Sequence, residues 1–194
     1  AIRGNKFYWH KSANWEKDDQ TIENKKDYES IINPLRENLE FTGKIRFENL
    51  SEVELGTLLT ALELPEGCCH KIGMAKPYGL GSIEVKATLH LSKRKKRYQN
   101  LINEWNNEIP ESSDINENKS RFKNEFAYYV MNNISDNTKG TDEYKNNDLW
   151  LLDRFKELKK MLTFNHGINR NDISYMELGE EYRKRKILPL PSKV

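Results

Sequence analysis

The chain has little cysteine and no long apolar run, and both shortages limit the class of protein to which it can belong. Its only cysteines, Cys68 and Cys69, are neighbours, and a disulfide between neighbours needs a strained ring. Because no third cysteine exists, we predict that both stay reduced, which favours a cytoplasmic location. No apolar stretch approaches the ~20 residues of a membrane span, and no secretory signal is visible. We therefore expect no membrane partner.

The chain also lacks a strong net charge. It has 32 basic and 30 acidic residues among 194, and only 36% of its residues are hydrophobic. Any site for a polyanion must therefore come from local clustering of charge. The length suits one domain, with or without an appendage. The first residues, Ala1 to Gly4, do not resemble a natural start, which suggests a piece of a longer protein.

Familiar metal and nucleotide motifs are missing as well. Cys68, Cys69 and His70 are consecutive residues, which cannot easily converge on one tetrahedral zinc ion. No G-x-x-x-x-G-K-[ST] loop is present. Gly79-Leu80-Gly81 precedes a predicted strand rather than opening a helix, so it does not fit a dinucleotide-binding fingerprint either. We expect neither a metal nor a cofactor.

What the chain does have is a glycine-rich segment, EGCCHKIGMAKPYGLGS, from Glu66 to Ser82. Its glycines and lysines are Gly67, Gly73, Gly79, Gly81, Lys71 and Lys76. This composition predicts a loop that offers bare amides and ammonium groups to an anion. From Lys71 to Arg97 there are eight basic residues and one acidic residue, a local charge that favours nucleic acid. The alternatives are a hairpin that needs glycine only for its turns and a solvated run of charge.

Patterns of regular structure flank this segment. Alternation over Gly43–Leu50 predicts a strand, with Lys44 and Arg46 on its polar face. A capping box at Ser51–Glu54 predicts the start of a helix that Pro65 ends. Gly56 interrupts that helix, and we expect it to pack closely against a strand. Alternation over Ser82–Leu91 predicts a second strand.

The two ends of the chain differ in character. Residues 1–40 form an aromatic and basic segment that opens with RGNKFYWHK, and its rings are expected either to stack on unpaired bases or to lie in a core. Residues 93–194 are predicted to be a helical extension, with polar irregular insertions at 106–118 and 138–147. His70, beside the glycine-rich segment, is a candidate for a general acid or base, and the alternative is an ordinary polar loop residue.

Two blocks of sequence resemble the RAMP superfamily of CRISPR-associated proteins. They are GKIRFENLSEVELGTLLTALELPEG at 43–67 and HKIGMAKPYGLGSIEV at 70–85, and they are most similar to the type III effector backbone subunits. RGNKFYWHK at 3–11 and YMELGEEYRKRKILPLPSKV at 175–194 also look like blocks of one subgroup, so the resemblance covers most of the chain from Arg3 to Val194. The resemblance implies an α+β fold, ferredoxin-like (RRM-like), of which 41–92 is a half-domain with strand, helix, glycine-rich loop and strand. It also implies that an N-terminal portion is absent here. Ala75 stands where that group tends to have glycine.

The resemblance further implies a guide-RNA (crRNA) binding subunit of a type III interference complex that serves antiviral defence. Its partners are guide RNA, with target RNA as a further one, and other effector subunits or the absent N-terminal portion. No aspartate matches the group's target-cleaving motif, so no catalytic residue is assigned and enzyme activity is not expected of this piece. The expected RNA contacts are Lys71, Gly73, Lys76, Gly79, Gly81, Lys44, Arg46, Lys93 and Arg94.

Two other functions stay open at this point. One is a metal-independent endoribonuclease of the same superfamily that processes precursor RNA, with His70 or His10 as its acid or base. The other is a structural interaction module whose basic face meets an acidic protein.

Overall fold

The computed structural model describes residues 7–11, 33–91, 114–134, 148–173 and 188–194, and these form a mixture of helices and a small sheet. The helices are α1 (Glu52–Leu62), α2 (Asp114–Asn132) and α3 (Asp153–Leu162). The strands are β1 (His70–Lys71) and β2 (Ser82–Ile83). Short 3₁₀ turns lie at Lys76–Tyr78, Leu149–Leu151, Arg170–Ile173 and Pro191–Lys193. The ferredoxin-like fold stays a prediction.

The chain divides into two compact units, and each unit draws on several stretches of sequence. The loop unit consists of Ala1–Phe47, Pro65–Glu84 and Asp153–Val194. The helix unit consists of Glu48–Leu64 and Val85–Leu152. The segment 41–92 contributes residues to both units, and the domain boundaries drawn from the sequence stay predictions.

Helix α1, in the helix unit, begins as the sequence predicts. The Ser51 hydroxyl accepts a hydrogen bond from the Glu54 amide at 3.2 Å, and the Glu54 carboxylate accepts one from the Ser51 amide at 2.8 Å. The predicted capping box is therefore confirmed. Leu55 and Leu59 are buried on the apolar face of the helix, which ends at Leu62, shortly before Pro65.

Gly56 lies where α1 packs against α2, and this contact contradicts a prediction from the sequence. We expected this glycine to pack against a strand. A Cβ added at Gly56 would instead overlap the carbonyl oxygen of Phe122 and lie 2.9 Å from the Cβ of Phe126. Both residues belong to α2, so the close approach is between two helices.

The strand predicted over Gly43–Leu50 is wrong. These residues form no strand within the described ranges, and Ile45 is 59% exposed. Alternation of apolar and charged residues produces a strand only where a neighbour pairs with the backbone and a core covers one face. No described strand pairs with this segment. Lys44 and Arg46 are therefore exposed, but without the sheet that was expected to present them.

Only the first two residues of the strand predicted over Ser82–Leu91 pair in a sheet, because β2 ends at Ile83. The predicted alternation of burial nevertheless persists, since Leu89 is 4% exposed and its neighbour His90 is exposed. The amide of Ala87 donates to the Glu63 carboxylate at 3.0 Å, and its carbonyl accepts from Lys119 at 2.8 Å. Because side chains satisfy these backbone groups, this part of the segment needs no neighbouring strand.

Helix α2 begins inside the stretch 106–118 that we predicted to be irregular, since residues from Asp114 onward are helical. Polarity alone did not exclude a helix there, because the helix dipole favours an acidic residue at the N-terminus. From Asp114 to Asn132 the chain is helical, as predicted for the extension over 93–194. Residues 93–113, 135–147 and 174–187 of that predicted extension lie outside the described residues.

In the loop unit, β1 and β2 form an antiparallel pair with Lys71 opposite Ser82. The amide of Cys69, just before β1, donates to the carbonyl of Leu162 at the end of α3, at 2.8 Å. Helix α3 therefore fixes the start of the hairpin, and the hairpin holds residues 72–81 as its loop.

Candidate nucleic-acid interface

The glycine-rich loop, defined here as residues 72–81, depends on its glycines for its shape. The turn Lys76–Tyr78 ends at Gly79, whose φ of +100° is left-handed. Gly73 and Gly81 also have positive φ angles, +91° and +74°. Residues with side chains rarely reach this region, so these three positions explain why the segment is rich in glycine.

Two of the glycines are also required by close contacts. A Cβ at Gly81 would overlap the carbonyl oxygen of Ile72 across the base of the loop. A Cβ at Gly79 would lie 2.5 Å from the Cβ of Lys11. A Cβ at Gly73, by contrast, would meet open space, and the next residue, Met74, is 87% exposed. The loop is therefore tightly packed at its base and open at its tip.

Lys71, at the end of β1, points its ammonium group toward the loop backbone. Its Nζ donates to the carbonyl oxygens of Gly79 and Leu80 and to the hydroxyl of Ser82, the last two at 3.1 Å. Burial, and after it the charge of Lys11, lowers the pKa of Lys71 to about 8, against a smaller opposing effect of Cys69. The ammonium form therefore predominates at neutral pH.

His10 shares the Ser82 hydroxyl with Lys71 and is 1% exposed. Its Nε2 donates to the carbonyl of Cys69 at 3.0 Å, because a carbonyl can only accept. Its Nδ1 then accepts from Ser82 at 2.8 Å. Burial, followed by the charge of Lys71, lowers the pKa of His10 to about 4, although the bond to Cys69 acts in the opposite direction. The ring is neutral at neutral pH and both its nitrogens are occupied, which argues against the acid or base role considered for it.

Aromatic rings surround His10. His166 donates from Nε2 to the carbonyl of His10 at 2.7 Å, and the ring of Trp9 meets His166 edge-on, with centroids 5.0 Å apart. The His10 ring also lies 5.8 Å from that of Phe164. Trp9 is therefore engaged within the loop unit, whereas Phe7 is 48% exposed. Base stacking by the N-terminal cluster stays a prediction.

Five of the nine predicted RNA contacts lie in one hairpin. The hairpin contains Lys71, Gly73, Lys76, Gly79 and Gly81. Within the described residues, the half-buried Lys76 side chain has no ion pair or hydrogen bond. His70 is half-buried in β1 opposite Ile83. Lys93 and Arg94 lie outside the described residues.

Both cysteines are free thiols. Cys68 is buried, and its sulfur lies 3.9 Å from the carbonyl of Lys159 and from the hydroxyl of Thr163. Burial raises the pKa of the Cys69 thiol. In the part of the chain that the structure describes, no three His, Cys, Asp or Glu side chains cluster as a metal ion would require.

Three residues of this site were not among the predicted contacts: Lys11, Ser82 and His10. His10 was named from the sequence only as an alternative acid or base. It lies 72 positions from Ser82 along the chain, so no periodicity or motif spacing connects the two. The only local signal for Ser82 was its place directly after the last glycine of the loop.

No family model, curated protein or solved structure matches the chain. Across the described residues, no helix is both long and apolar enough to cross a lipid bilayer. The likeness to the RAMP superfamily therefore stays a resemblance of the residues quoted above.

Proposed function

We propose that this chain is a guide-RNA-binding subunit of a type III CRISPR interference complex, a RAMP-superfamily protein that acts in antiviral defence. Its glycine-rich loop would hold the phosphate backbone of the RNA. The proposal includes a cytoplasmic location and other effector subunits as partners, and it assigns no catalytic step to the chain. The resemblance of residues 43–85 and the construction of the loop support it.

The observation that carries the proposal is the open backbone at the tip of the loop. Among the described residues, the amides of Gly73 and Met74 have no hydrogen-bond partner. Both residues are exposed, and no atom lies where a side chain at Gly73 would be. An oxygen of a phosphate can therefore approach the main chain and accept from these amides.

The charge around the loop favours an anion. Lys76 lies in the turn of the loop and has no carboxylate partner within the described residues. Lys71 adds a charge at the base, and Lys11 donates to the carbonyl of Pro77 at 3.3 Å. Contacts from amides and ammonium groups to phosphates carry no base information, so binding is expected to be independent of RNA sequence.

A titration of fluorescently labelled single-stranded RNA with the purified chain, followed by anisotropy over a range of KCl concentrations, tests this function. Affinity should fall with salt, with a slope of about −0.7 in log–log form for each phosphate contacted. Lys76→Met should weaken binding of every RNA and make the slope shallower by about 0.7. Lys159→Met removes the same charge from an exposed position on α3 and should change neither quantity.

The outcomes separate the proposal from its alternatives. An absence of binding at low salt, or a loss that depends on base sequence, would contradict it. RNA cleavage in EDTA that disappears in His70→Ala would favour the metal-independent endoribonuclease. Nuclease-resistant association with an acidic protein, without RNA, would favour the structural interaction module.

A further inference from the structure

The Lys71 side chain has no donor hydrogen left for a ligand. A lysine ammonium group has three donor hydrogens. In the structure its acceptors are the carbonyls of Gly79 and Leu80 and the hydroxyl of Ser82. The ammonium group therefore binds the loop backbone itself, whereas the sequence predicts that it contacts RNA.

The direction of each hydrogen bond in this cluster is set by the chemistry of its groups. Because an ammonium can only donate, Ser82 Oγ accepts from Lys71 and uses its own hydrogen for His10 Nδ1. The opposite ring nitrogen of His10 donates to the carbonyl of Cys69. A continuous chain of donors thus runs from Lys71 through Ser82 and His10 to the backbone just before β1, and it fixes where the ammonium lies.

The orientation of two carbonyls also determines the orientation of two amides. No cis peptide bond occurs among the described residues, and in a planar trans peptide the C=O and the following N–H point in opposite directions. Since Lys71 holds the carbonyls of Gly79 and Leu80, the amides of Leu80 and Gly81 point away from it. Neither amide has a hydrogen-bond partner among the described residues. Successive amides beside a left-handed residue form a concavity suited to an anion.

We propose that Lys71 is a positioning residue of the loop: it holds the Gly79 and Leu80 carbonyls so that the Leu80 and Gly81 amides face a phosphate oxygen, and it does not contact the ligand. The identity of that ligand, an RNA phosphate, rests on the proposed function. Lys76 then supplies the direct ionic contact. Lys11 contributes in the same manner as Lys71, because its Nζ donates to the Pro77 carbonyl.

The salt dependence of RNA binding distinguishes a positioning residue from a phosphate contact. In the anisotropy titration, Lys71→Met should lower affinity on the order of tenfold while the salt slope stays that of the unaltered chain. Lys76→Met is the matched comparison, because it removes the same charge and should make the slope shallower. Equal changes of slope in both variants, or an unchanged affinity in Lys71→Met, would overturn the proposal.

A second measurement needs no RNA. Backbone ¹⁵N relaxation should show ordered amides at Leu80 and Gly81 in the unaltered chain and in Lys76→Met, with order parameters near 0.85, and mobile ones below about 0.6 in Lys71→Met. If Lys71→Met fails to fold, Ser82→Ala replaces it, since it removes only one acceptor of the ammonium and should loosen the same amides. Unchanged order in the folded variant overturns the positioning role. If the unaltered chain binds no RNA, the proposed function fails, and the relaxation data still decide the role of Lys71.

Discussion

The Glu63 carboxylate in the helix unit and the Lys71 ammonium in the loop unit are held by different kinds of partner. In the helix unit, the Glu63 carboxylate accepts from Lys119 and Lys123, each at 2.8 Å. In the loop unit, the Lys71 ammonium is met by carbonyl and hydroxyl oxygens and, across the described residues, by no carboxylate. An ion pair neutralises its charge locally, whereas a cation held by dipoles keeps its net charge and its field. Within the described residues, a carboxylate therefore offsets one of the two lysine charges in the helix unit, whereas no carboxylate offsets the charge of Lys71 in the loop unit.

Acid should protonate a different kind of group in each unit. Burial raises the pKa of Glu63, but the bonds from Lys119, Lys123 and the Ala87 amide outweigh it and bring the pKa to about 2. The pKa of His10 is lowered to about 4, chiefly by burial. Protonation therefore removes a paired charge from the helix unit and adds an unpaired one to the loop unit.

The largest expected effect is on the packing of the helix unit. Gly56→Ala places a methyl group on the backbone of Phe122, which cannot give way as a flexible side chain would. We expect the free energy of unfolding to fall by about 3 kcal/mol. Gly43→Ala, where nothing lies within 4 Å of the added Cβ, is the control and should change it by less than about 0.5 kcal/mol. Urea denaturation of both variants measures the difference, and equal midpoints would contradict the expectation.

The pH dependence of stability should separate the units. The unfolded chain binds a proton at His10 below pH 6.5, whereas the folded loop unit binds it only near pH 4. Unfolding therefore takes up a proton in this range, and the stability of the loop unit should fall as the pH drops from 6.5 to 4, by on the order of 3 kcal/mol. For Glu63, the corresponding window lies between pH 4.5 and 2.

Denaturant titrations read by NMR signals of each unit measure both windows. His10→Gln keeps polar atoms at the site but cannot become charged, so it should remove the pH dependence of the loop unit between pH 6.5 and 4. Glu63→Gln should do the same for the helix unit at lower pH. A single transition shared by both units, unaffected by either substitution, would show that other groups control acid unfolding.

A smaller effect distinguishes the shielded ion pairs from an exposed one. Glu63→Gln leaves Lys119 and Lys123 without their counter-charge and should lower the free energy of unfolding by about 2 kcal/mol. Glu52→Gln breaks the pair with Arg121, whose side chains are 49% and 58% exposed, and should have almost no effect. Thermal unfolding in low salt compares the two. Similar losses of unfolding free energy in both variants would mean that the more buried position of Glu63 does not strengthen its ion pairs.

Patterns that depend on near neighbours in the chain were predictable. The capping box joins Ser51 and Glu54, which are close in sequence, and the structure forms it as expected. The alternation predicted over Ser82–Leu91 likewise marks Val85, Ala87, Leu89 and Leu91 as the less exposed side chains, although Ile83 is exposed. The same rule failed over Gly43–Leu50, because alternation describes one face of a sheet and does not supply a strand to pair with.

The centre of the candidate site was not predictable by these rules. Lys71 was predicted to contact a ligand because it is charged and lies beside glycines. The sequence contains no sign that its ammonium group would instead donate to the loop carbonyls. His10 meets Ser82 and Cys69 only because the chain returns across 72 and 59 positions. Such contacts depend on how distant segments close on one another, which local propensity does not specify.

The sequence by itself determined where the backbone must be free to turn, since the left-handed positions Gly73, Gly79 and Gly81 admit few other residues. It also determined the local excess of positive charge around them. Only the tertiary structure decided which groups the ionisable side chains contact, because the partners of Lys71 and His10 are the groups that the fold brings close to them. Hydrogen bonds are directional and short, so the final role of each side chain depends on positions that no local pattern records.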